Sequence, residues 1–384
     1  MYLIPRLIGV SAYTLLLFVF CYLIRSTKAR TKNVLFLYTI VIFAIGFFYV
    51  PNPEADLTRL FPIMRYYSNQ TISQLWETMK QETTPGEPLY YYLISKFGKD
   101  SLLPAITGLI TYGLCFSVLF KCNYRIEATR YDVSLALYVF MSRGLLVHVI
   151  SGIRNELAFA IILWCIYREL VEKKRITWHI PLYIIAASLH TMGQVLLIYR
   201  LLFLFAEKNV AKPLSKLGKV IVGTASIAML YVIGRKYIEG ISHKATSYYT
   251  RAVLGTGYSY IWERLLSVIS LFITIYLIVI IKKMVRSNET SIDHSLLVGI
   301  RNLLMFTIPI VIIDAVAFFI EFNFFHRTSN FLTMLDIPLS VFALRLADSY
   351  CDRKRIGQLL IVASTIMLFI ACARGNLCSL KFFE

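Results

Sequence analysis

The sequence predicts an all-α fold, a polytopic transmembrane helical bundle of about 10 to 12 spans. Of the 384 residues, 58% are hydrophobic and only 16% are charged, and the mean hydropathy is +0.65. Apolar runs that can cross a hydrocarbon core of ~30 Å, which takes ~20 helical residues, recur from end to end. No interior stretch is polar enough for a soluble domain, so we expect one integral membrane domain over residues 1–384.

Basic residues indicate the orientation of this bundle. The chain has a net charge of +18, and its Lys and Arg residues cluster in alternate loops. By the positive-inside rule these loops face the cytoplasm. The excess of positive charge therefore indicates membrane topology and contact with lipid headgroups rather than binding of nucleic acid. The basic loops lie at 25–32, 121–130, 168–175, 208–219, 282–301 and 345–355.

The predicted spans alternate in direction between these loops, beginning with a retained span that crosses inward. We expect a tight hairpin with its tip at Ser151-Gly152, a bend at 190–193 inside a long apolar segment, and a short outer turn at 321–330. The spans are 7–24, 34–50, 101–120, 131–150, 153–167, 180–205 (bent), 220–234, 265–281, 303–320, 331–346 and 356–373.

Two longer loops are expected on the outer face. In the first, 51–100, apolar and polar residues alternate at helical spacing over 57–67 and 71–80, which predicts short helices lying at the membrane interface. This loop is a candidate lid or substrate platform. The second outer loop, 235–264, is rich in Tyr with scattered basic residues.

Two ionisable residues interrupt apolar segments that face each other across a basic turn. Arg154 stands near the start of the first segment and His190 near the end of the second. An ionisable group beside a membrane span is costly unless it faces protein or water, and it therefore indicates a functional site. We expect this pair to form the floor of a site that opens away from the cytoplasm.

Further charged residues are expected at the same outer face, from loops distant in sequence. Arginine is planar, permanently charged and a bidentate partner for phosphate, so several arginines at one face indicate a pyrophosphate-bearing lipid. The predicted pyrophosphate ligands are Arg154, Arg327, Arg251 and Arg59. The full set of outer candidates is Glu54, Asp56, Arg59, Arg65, Glu87, Arg143, Arg154, Glu156, His190, Arg251, Arg264, His326 and Arg327.

A carboxylate or imidazole beside these arginines would take the proton of an incoming hydroxyl group. The candidates for this catalytic role are Asp56, His190 and Glu87, and the sequence does not choose between them. No metal or other cofactor is expected, because the chain has no HExxH, DxD or CxxC motif and its histidines are scattered in the sequence.

These residues carry a resemblance to a known family. SGIRNELAFAI, followed after the basic turn by AASLHTMG, resembles the paired Arg and His motifs of the EpsG family of Wzy-like polysaccharide polymerases. EADLTRLF, GEPLYYYL and HRTSNFL fit the same pattern in order and spacing, although Leu60 stands where family members often have Tyr.

The resemblance implies a metal-independent glycosyltransferase in the bacterial cytoplasmic membrane, with an architecture similar to the GT-C type. It would polymerise oligosaccharide repeat units carried on undecaprenyl pyrophosphate, at the outer face, for capsule, exopolysaccharide or O-antigen. Asp56 lies in the first outer loop, which is where GT-C enzymes often carry a catalytic carboxylate. A chain-length regulator and a flippase are the expected protein partners.

Two other functions are compatible with parts of the sequence. A flippase for the lipid-linked unit should have internal repeats and charges reachable from both sides, whereas here the charged candidates gather on one predicted face. A glycan ligase would use the same Arg and His groups, so the sequence alone leaves it open.

Overall fold

The computed structural model describes residues 3–26, 30–53, 55–206, 258–287, 293–320, 322–347, 349–373, 377 and 380–382. Within these residues the regular structure is helical and none of them lies in a β-strand, which confirms the all-α class. The predicted span 220–234 and most of the predicted loop 235–264 lie outside the described residues.

The first helices are α1 (Leu3–Ser26), α2 (Thr31–Phe48), α3 (Asp56–Ser68), α4 (Ile72–Gln81), α5 (Gly86–Ser95), α6 (Leu102–Ile126) and α7 (Arg130–Ser142). They are followed by α8 (Arg154–Ile166), α9 (Ile180–Leu189), α10 (Thr191–Ala206), α11 (Tyr258–Ser287), α12 (His294–Ile320), α13 (Phe322–Arg345) and α14 (Tyr350–Ala373). Short π-helical turns at His148–Gly152 and Tyr167–Val171 flank α8.

Six helices in the described part of the chain are long and apolar enough to cross a membrane. They are α1, α2, α6, α11, α12 and α14, and each matches a predicted span. Other predicted crossings correspond to shorter helices: α7 and α8 have 13 residues each, and a 13-residue helix is only ~20 Å long. Both are buried over most of their length, so protein rather than lipid surrounds them.

Helix α13 is the centre of the bundle. Every residue from Thr328 to Leu344 is buried, and the helix packs against α6, α7, α8, α11, α12 and α14. This environment explains why a membrane protein can hold Asn330 and Asp336 inside a central helix. Their polar groups meet protein rather than hydrocarbon, where an unpaired group costs several kcal/mol.

Three of the basic loops that were predicted to share one face, 121–130, 282–301 and 345–355, meet at one end of the bundle. Arg125 donates a hydrogen bond of 2.8 Å from Nη2 to Oγ of Ser295, at the start of α12. Nε of Arg345, at the end of α13, donates to the carbonyl of Ile126 over 3.1 Å. The ends of α6 and α13 and the start of α12 therefore lie together, as alternating crossings require.

Two predicted elements are wrong because a local conformation ends or extends a helix. The predicted span 131–150 is interrupted, because α7 ends at Ser142 and Gly144 has a φ of +71°, in the left-handed region that stops a helix. The hairpin predicted to turn at residues 151–152 turns instead at Ile153, which has a φ of +49°.

Two predicted loops are also partly helical. The predicted outer turn 321–330 belongs to α13 from Phe322 onward, because its polar residues Thr328, Ser329 and Asn330 are buried against other helices. The predicted outer loop 235–264 ends early, because α11 begins at Tyr258. Glu263 consequently lies on a regular helix that continues into the membrane.

The bend predicted at 190–193 is confirmed. His190 has an extended backbone (φ −156°, ψ 144°) and separates α9 from α10. The two helices then pack closely, because Gly193 lies directly against the carbonyl group of Ala186. A Cβ at residue 193 would overlap that carbonyl oxygen, so this corner depends on glycine.

We therefore expect Gly193→Ala to lower the free energy of unfolding by about 1–3 kcal/mol, the usual cost of forcing atoms into a packed interior. The measurement is thermal unfolding of the purified protein in detergent. Gly113→Ala on α6 is the matched control, because a Cβ there would be 3.6 Å from Cγ2 of Thr39, an ordinary contact. Equal melting temperatures for the two variants would contradict the role of this corner.

Candidate active site

The start of α5 packs against the corner between α9 and α10. A Cβ on Gly86 would overlap Oγ of Ser188, so the close approach requires glycine. Gln194 on α10 donates a hydrogen bond of 2.8 Å from Nε2 to the carbonyl of Thr83, just before α5. These contacts fasten the predicted outer segment 51–100 onto the corner.

Arg154 and Glu87 form an ion pair between α8 and α5. Arg154 is the first residue of α8, and its Nη1 contacts Oε2 of Glu87. The same carboxylate oxygen accepts a hydrogen bond of 3.1 Å from Oγ1 of Thr84. The side chains remain 33% exposed for Arg154 and 16% for Glu87, so a ligand can reach both.

His190 lies within electrostatic range of two guanidinium groups. The charges of Arg327 and Arg154 both act on its imidazole, which brings together residues from α8, α13 and the α9–α10 corner. Nδ1 of His190 accepts a hydrogen bond of 3.1 Å from the backbone N–H of Met192. In the neutral ring this leaves the hydrogen on Nε2, which is therefore a donor. We call Arg154, His190, Arg327 and Glu87 the arginine–histidine cluster.

The other predicted site residues lie at the edge of this cluster or outside the described chain. Asp56 and Arg59 pair with each other on α3, with side chains 58% and 73% exposed. The charge of Asp56 nevertheless acts on Arg154, so the start of α3 is near the cluster. Arg251 lies outside the described residues.

Two tyrosines of the outer segment pack close to Arg154. The rings of Tyr67 and Tyr91 are 6.4 Å apart and both residues are buried, so they support the segment rather than offer a face for sugar stacking. Burial, with smaller contributions from the carboxylates of Glu82 and Glu87, raises the pKa of Tyr67 to about 12. Its hydroxyl therefore stays protonated at neutral pH.

A second cluster surrounds Glu263 on α11. Oε2 of Glu263 lies 3.9 Å from Nε2 of His148, 3.8 Å from Nδ1 of His326 and 3.8 Å from Nη1 of Arg143. The two imidazole rings are 4.8 Å apart, edge to face. These residues come from α11, α13 and the irregular segment after α7. We call Glu263, His148, His326 and Arg143 the glutamate–histidine cluster.

A layer of buried polar side chains extends from the glutamate–histidine cluster to α8. Arg143 is fully buried and donates from Nη2 to Ser267 over 2.8 Å and to Oδ1 of Asn330 over 3.4 Å. Nδ2 of Asn330 donates to Oε1 of Glu156 over 3.2 Å, and Glu156 is two residues after Arg154 on α8. His326 and Arg327, adjacent on α13, each belong to one cluster.

The side chains of His148, Glu263 and His326 are also a possible metal-ligand set, with ligand atoms within 4.8 Å of one another. Two features do not fit a bound ion. Arg143 places a positive charge 3.8 Å from the carboxylate oxygen that would bind it. Nε2 of His326 lies 3.5 Å from Nδ2 of Asn330, an amide donor, which favours the tautomer with its hydrogen on Nδ1, the nitrogen that faces Glu263.

Glu263 was missed by sequence reasoning, although the sequence holds a signal for it. Glu263, Ser267, Ser270 and Thr274 recur at helical spacing and form a polar stripe on an otherwise apolar helix. All three hydroxyl-bearing residues are buried. A polar stripe inside an apolar span indicates a face turned to protein or to a polar site rather than to lipid.

Comparison with known proteins identifies the family. The model of the EpsG family matches residues 34–379, nearly the whole chain. No curated protein matches the sequence, and no solved structure matches it either. The match spans α2 to α14 and includes both clusters, so the polar layer described above lies within the part that defines the family. The chain belongs to the EpsG family, which is associated with polysaccharide polymerisation.

Proposed function

We propose that this protein is a Wzy-type glycosyltransferase that joins oligosaccharide repeat units carried on undecaprenyl pyrophosphate. Membership of the EpsG family supports a role in exopolysaccharide biosynthesis, and the apolar helices support a membrane location. The site would face the exterior of the bacterial cytoplasmic membrane, because three of the basic loops gather at the opposite end of the bundle. Capsule, exopolysaccharide and O-antigen units are the candidate substrates.

The observation that carries this proposal is the convergence of Arg154, His190 and Arg327. The charges of two arginines from separate helices act on His190, whose Nε2 is available as an N–H donor. Such a set suits the two phosphates of a lipid diphosphate, because guanidinium groups bind phosphate oxygens in bidentate fashion. Arg251 and Arg59 are proposed as further ligands at its edge.

In the proposed reaction the donor is the growing chain, linked through the C1 carbon of its first sugar to the diphosphate. A hydroxyl oxygen of the incoming unit attacks C1 and forms the new glycosidic bond. The bond between C1 and the phosphate oxygen breaks, and its electron pair leaves with the lipid diphosphate. The arginines stabilise the charge that develops on this leaving group, in the way that a preorganised anion site does.

The hydroxyl proton also needs an acceptor, and each of the predicted candidates already has another partner. His190 uses Nδ1 to accept from the backbone and is better suited to donate. Glu87 is paired with Arg154, and the exposed carboxylate of Asp56 is paired with Arg59. Asp56 and Glu87 are therefore proposed to orient the arginines near the diphosphate.

The proposed substrate determines the expected partners. The protein would act on lipid-linked units that a flippase has delivered to the outer leaflet, and a chain-length regulator would bind alongside it. Neither nucleic acid nor a cofactor is part of this proposal. The same cluster would serve a ligase, but no feature of the described residues favours transfer to a different acceptor.

We expect Arg154→Ala to reduce polymerisation about 10²–10³-fold, as does loss of one donor from a preorganised anion site. The measurement is the ladder of products that purified protein forms from lipid-linked units extracted from cells lacking it. Arg154→Lys should recover only part of the rate, because an ammonium group is a point charge. Lys80→Ala is the matched control, since Lys80 is exposed and pairs with Glu77. Full activity in Arg154→Ala would contradict the proposal.

Cells that lack the protein should accumulate single repeat units in the outer leaflet, because the block would come after flipping and before joining. The measurement is labelling of the lipid-linked pool with a membrane-impermeant reagent. Accumulation in the inner leaflet would instead indicate a flippase. Complementation with the unaltered chain should restore long polymers in the same assay.

Polymerisation should continue in the presence of a chelator. The reason is that the arginines supply the positive charge that a metal ion supplies to the leaving group in metal-dependent enzymes. The purified protein, dialysed against EDTA and supplied with lipid-linked units, should retain its rate. Adding Mg²⁺, Mn²⁺ or Zn²⁺ should not raise that rate. A strict requirement for one of these ions would overturn the metal-independent mechanism.

A further inference from the structure

We propose that Glu263 is the base that accepts the proton of the attacking hydroxyl group, and that His148, His326 and Arg143 hold it for that task. This inference rests on the proposed glycosyltransferase function. Glu263 is not among the residues that the sequence pattern indicated, and its carboxylate belongs to the glutamate–histidine cluster rather than to the predicted anion site.

The first support is the state of the carboxylate itself. Oε2 of Glu263 is buried, yet it has no hydrogen-bond partner among the described residues. Its nearest polar neighbours are 3.8–3.9 Å away, beyond the ordinary range of ~2.7–3.2 Å. A buried polar atom without a partner is costly, and such atoms in native proteins commonly have a functional reason. The side chain as a whole is 16% exposed, so a ligand can reach it.

The second support is that the neighbours keep Glu263 ionised and oriented. Arg143, fully buried, presents Nη1 toward Oε2, and the guanidinium is itself fixed by Ser267 and Asn330. Because Nε2 of His326 faces the amide donor of Asn330, the tautomer with its hydrogen on Nδ1, toward the carboxylate, is favoured. These charges favour the ionised carboxylate, which is the form that can accept a proton, and they fix its position rather than raise its basicity.

The third support is position. Glu263 lies 3.8 Å from His326, and the next residue of α13, Arg327, belongs to the arginine–histidine cluster. In a direct displacement at a sugar carbon, the base and the leaving group act from opposite faces of the ring. Glu87 contacts Arg154 directly, so it lies on the side of the leaving group, whereas the charged groups closest to Glu263 are His148, His326 and Arg143.

The step balances without any further reactant. The hydroxyl O–H bond breaks and its proton goes to Glu263, while the oxygen uses its electron pair to bond to C1 of the donor. The bond from C1 to phosphate breaks and the pair leaves with the diphosphate. Glu263, now a neutral acid, returns the proton to water or to the released diphosphate before the next cycle.

The test compares Glu263→Gln with the unaltered protein in two assays. The first is the rate of joining of lipid-linked units extracted from cells that lack the protein. The second is the affinity for undecaprenyl pyrophosphate alone. Loss of a general base costs about 10²–10⁴-fold, so we expect a rate loss of that order with unchanged affinity for the diphosphate lipid. Glu77→Gln, an exposed carboxylate on α4, is the matched control and should behave as the unaltered protein.

A rescue experiment separates a chemical role from a structural one. Glu263→Ala leaves room for a small carboxylate, so added formate should restore part of its rate, while Glu77→Gln should not respond. The inference would be overturned if Glu263→Gln joined units at a rate close to that of the unaltered protein. It would also be overturned if Glu263→Gln lost affinity for undecaprenyl pyrophosphate by the same factor as it lost rate. An unaltered protein that joins no units would overturn the proposed function and this inference together.

Discussion

The cost of a charge beside hydrocarbon is the constraint on which the rest of this structure depends. It is met by helix α13, which runs through the middle of the bundle and is buried from Thr328 to Leu344. Surrounded by other helices, α13 can carry His326, Arg327 and Asn330 without exposing them to lipid. The apolar helices α1, α2, α6, α11, α12 and α14 provide the membrane-facing surface. A lipid-embedded protein can thus maintain a polar layer from α8 to α11.

The sequence predicted those parts of the structure that leave local signals. Basic loops and apolar runs predicted most helices, because the membrane forces polarity to alternate along the chain. Arg154 and His190 stood out because each interrupts an apolar segment, and the charges of Arg154 and Arg327 both act on His190 in the structure. The break at His190 was predictable too, since small residues and a following glycine mark a place where two helices can meet closely.

Other features depend on contacts between distant parts of the chain. The helical start of α13 was wrong in the prediction because burial against other helices, not local polarity, decides it, whereas α7 ends early at the left-handed Gly144. Glu263 was overlooked for a related reason, since its importance comes from His148 and His326, which are 115 and 63 residues away in the sequence. A pattern along one helix shows which face is polar, but only the assembled bundle shows which groups that face meets.

The contact between Glu87 and Arg154 has a consequence for selectivity. This arginine is already neutralised by the Glu87 carboxylate, which a hydrogen bond from Thr84 holds in place. An arriving headgroup has to outcompete an anion that is present at all times. Ordinary phospholipids, with one phosphate charge, are abundant but poor competitors, whereas a headgroup with two phosphates carries more charge and more acceptor oxygens. Only a headgroup that binds Arg154 more strongly than Glu87 does would then enter the site, and bulk membrane lipid would be kept out.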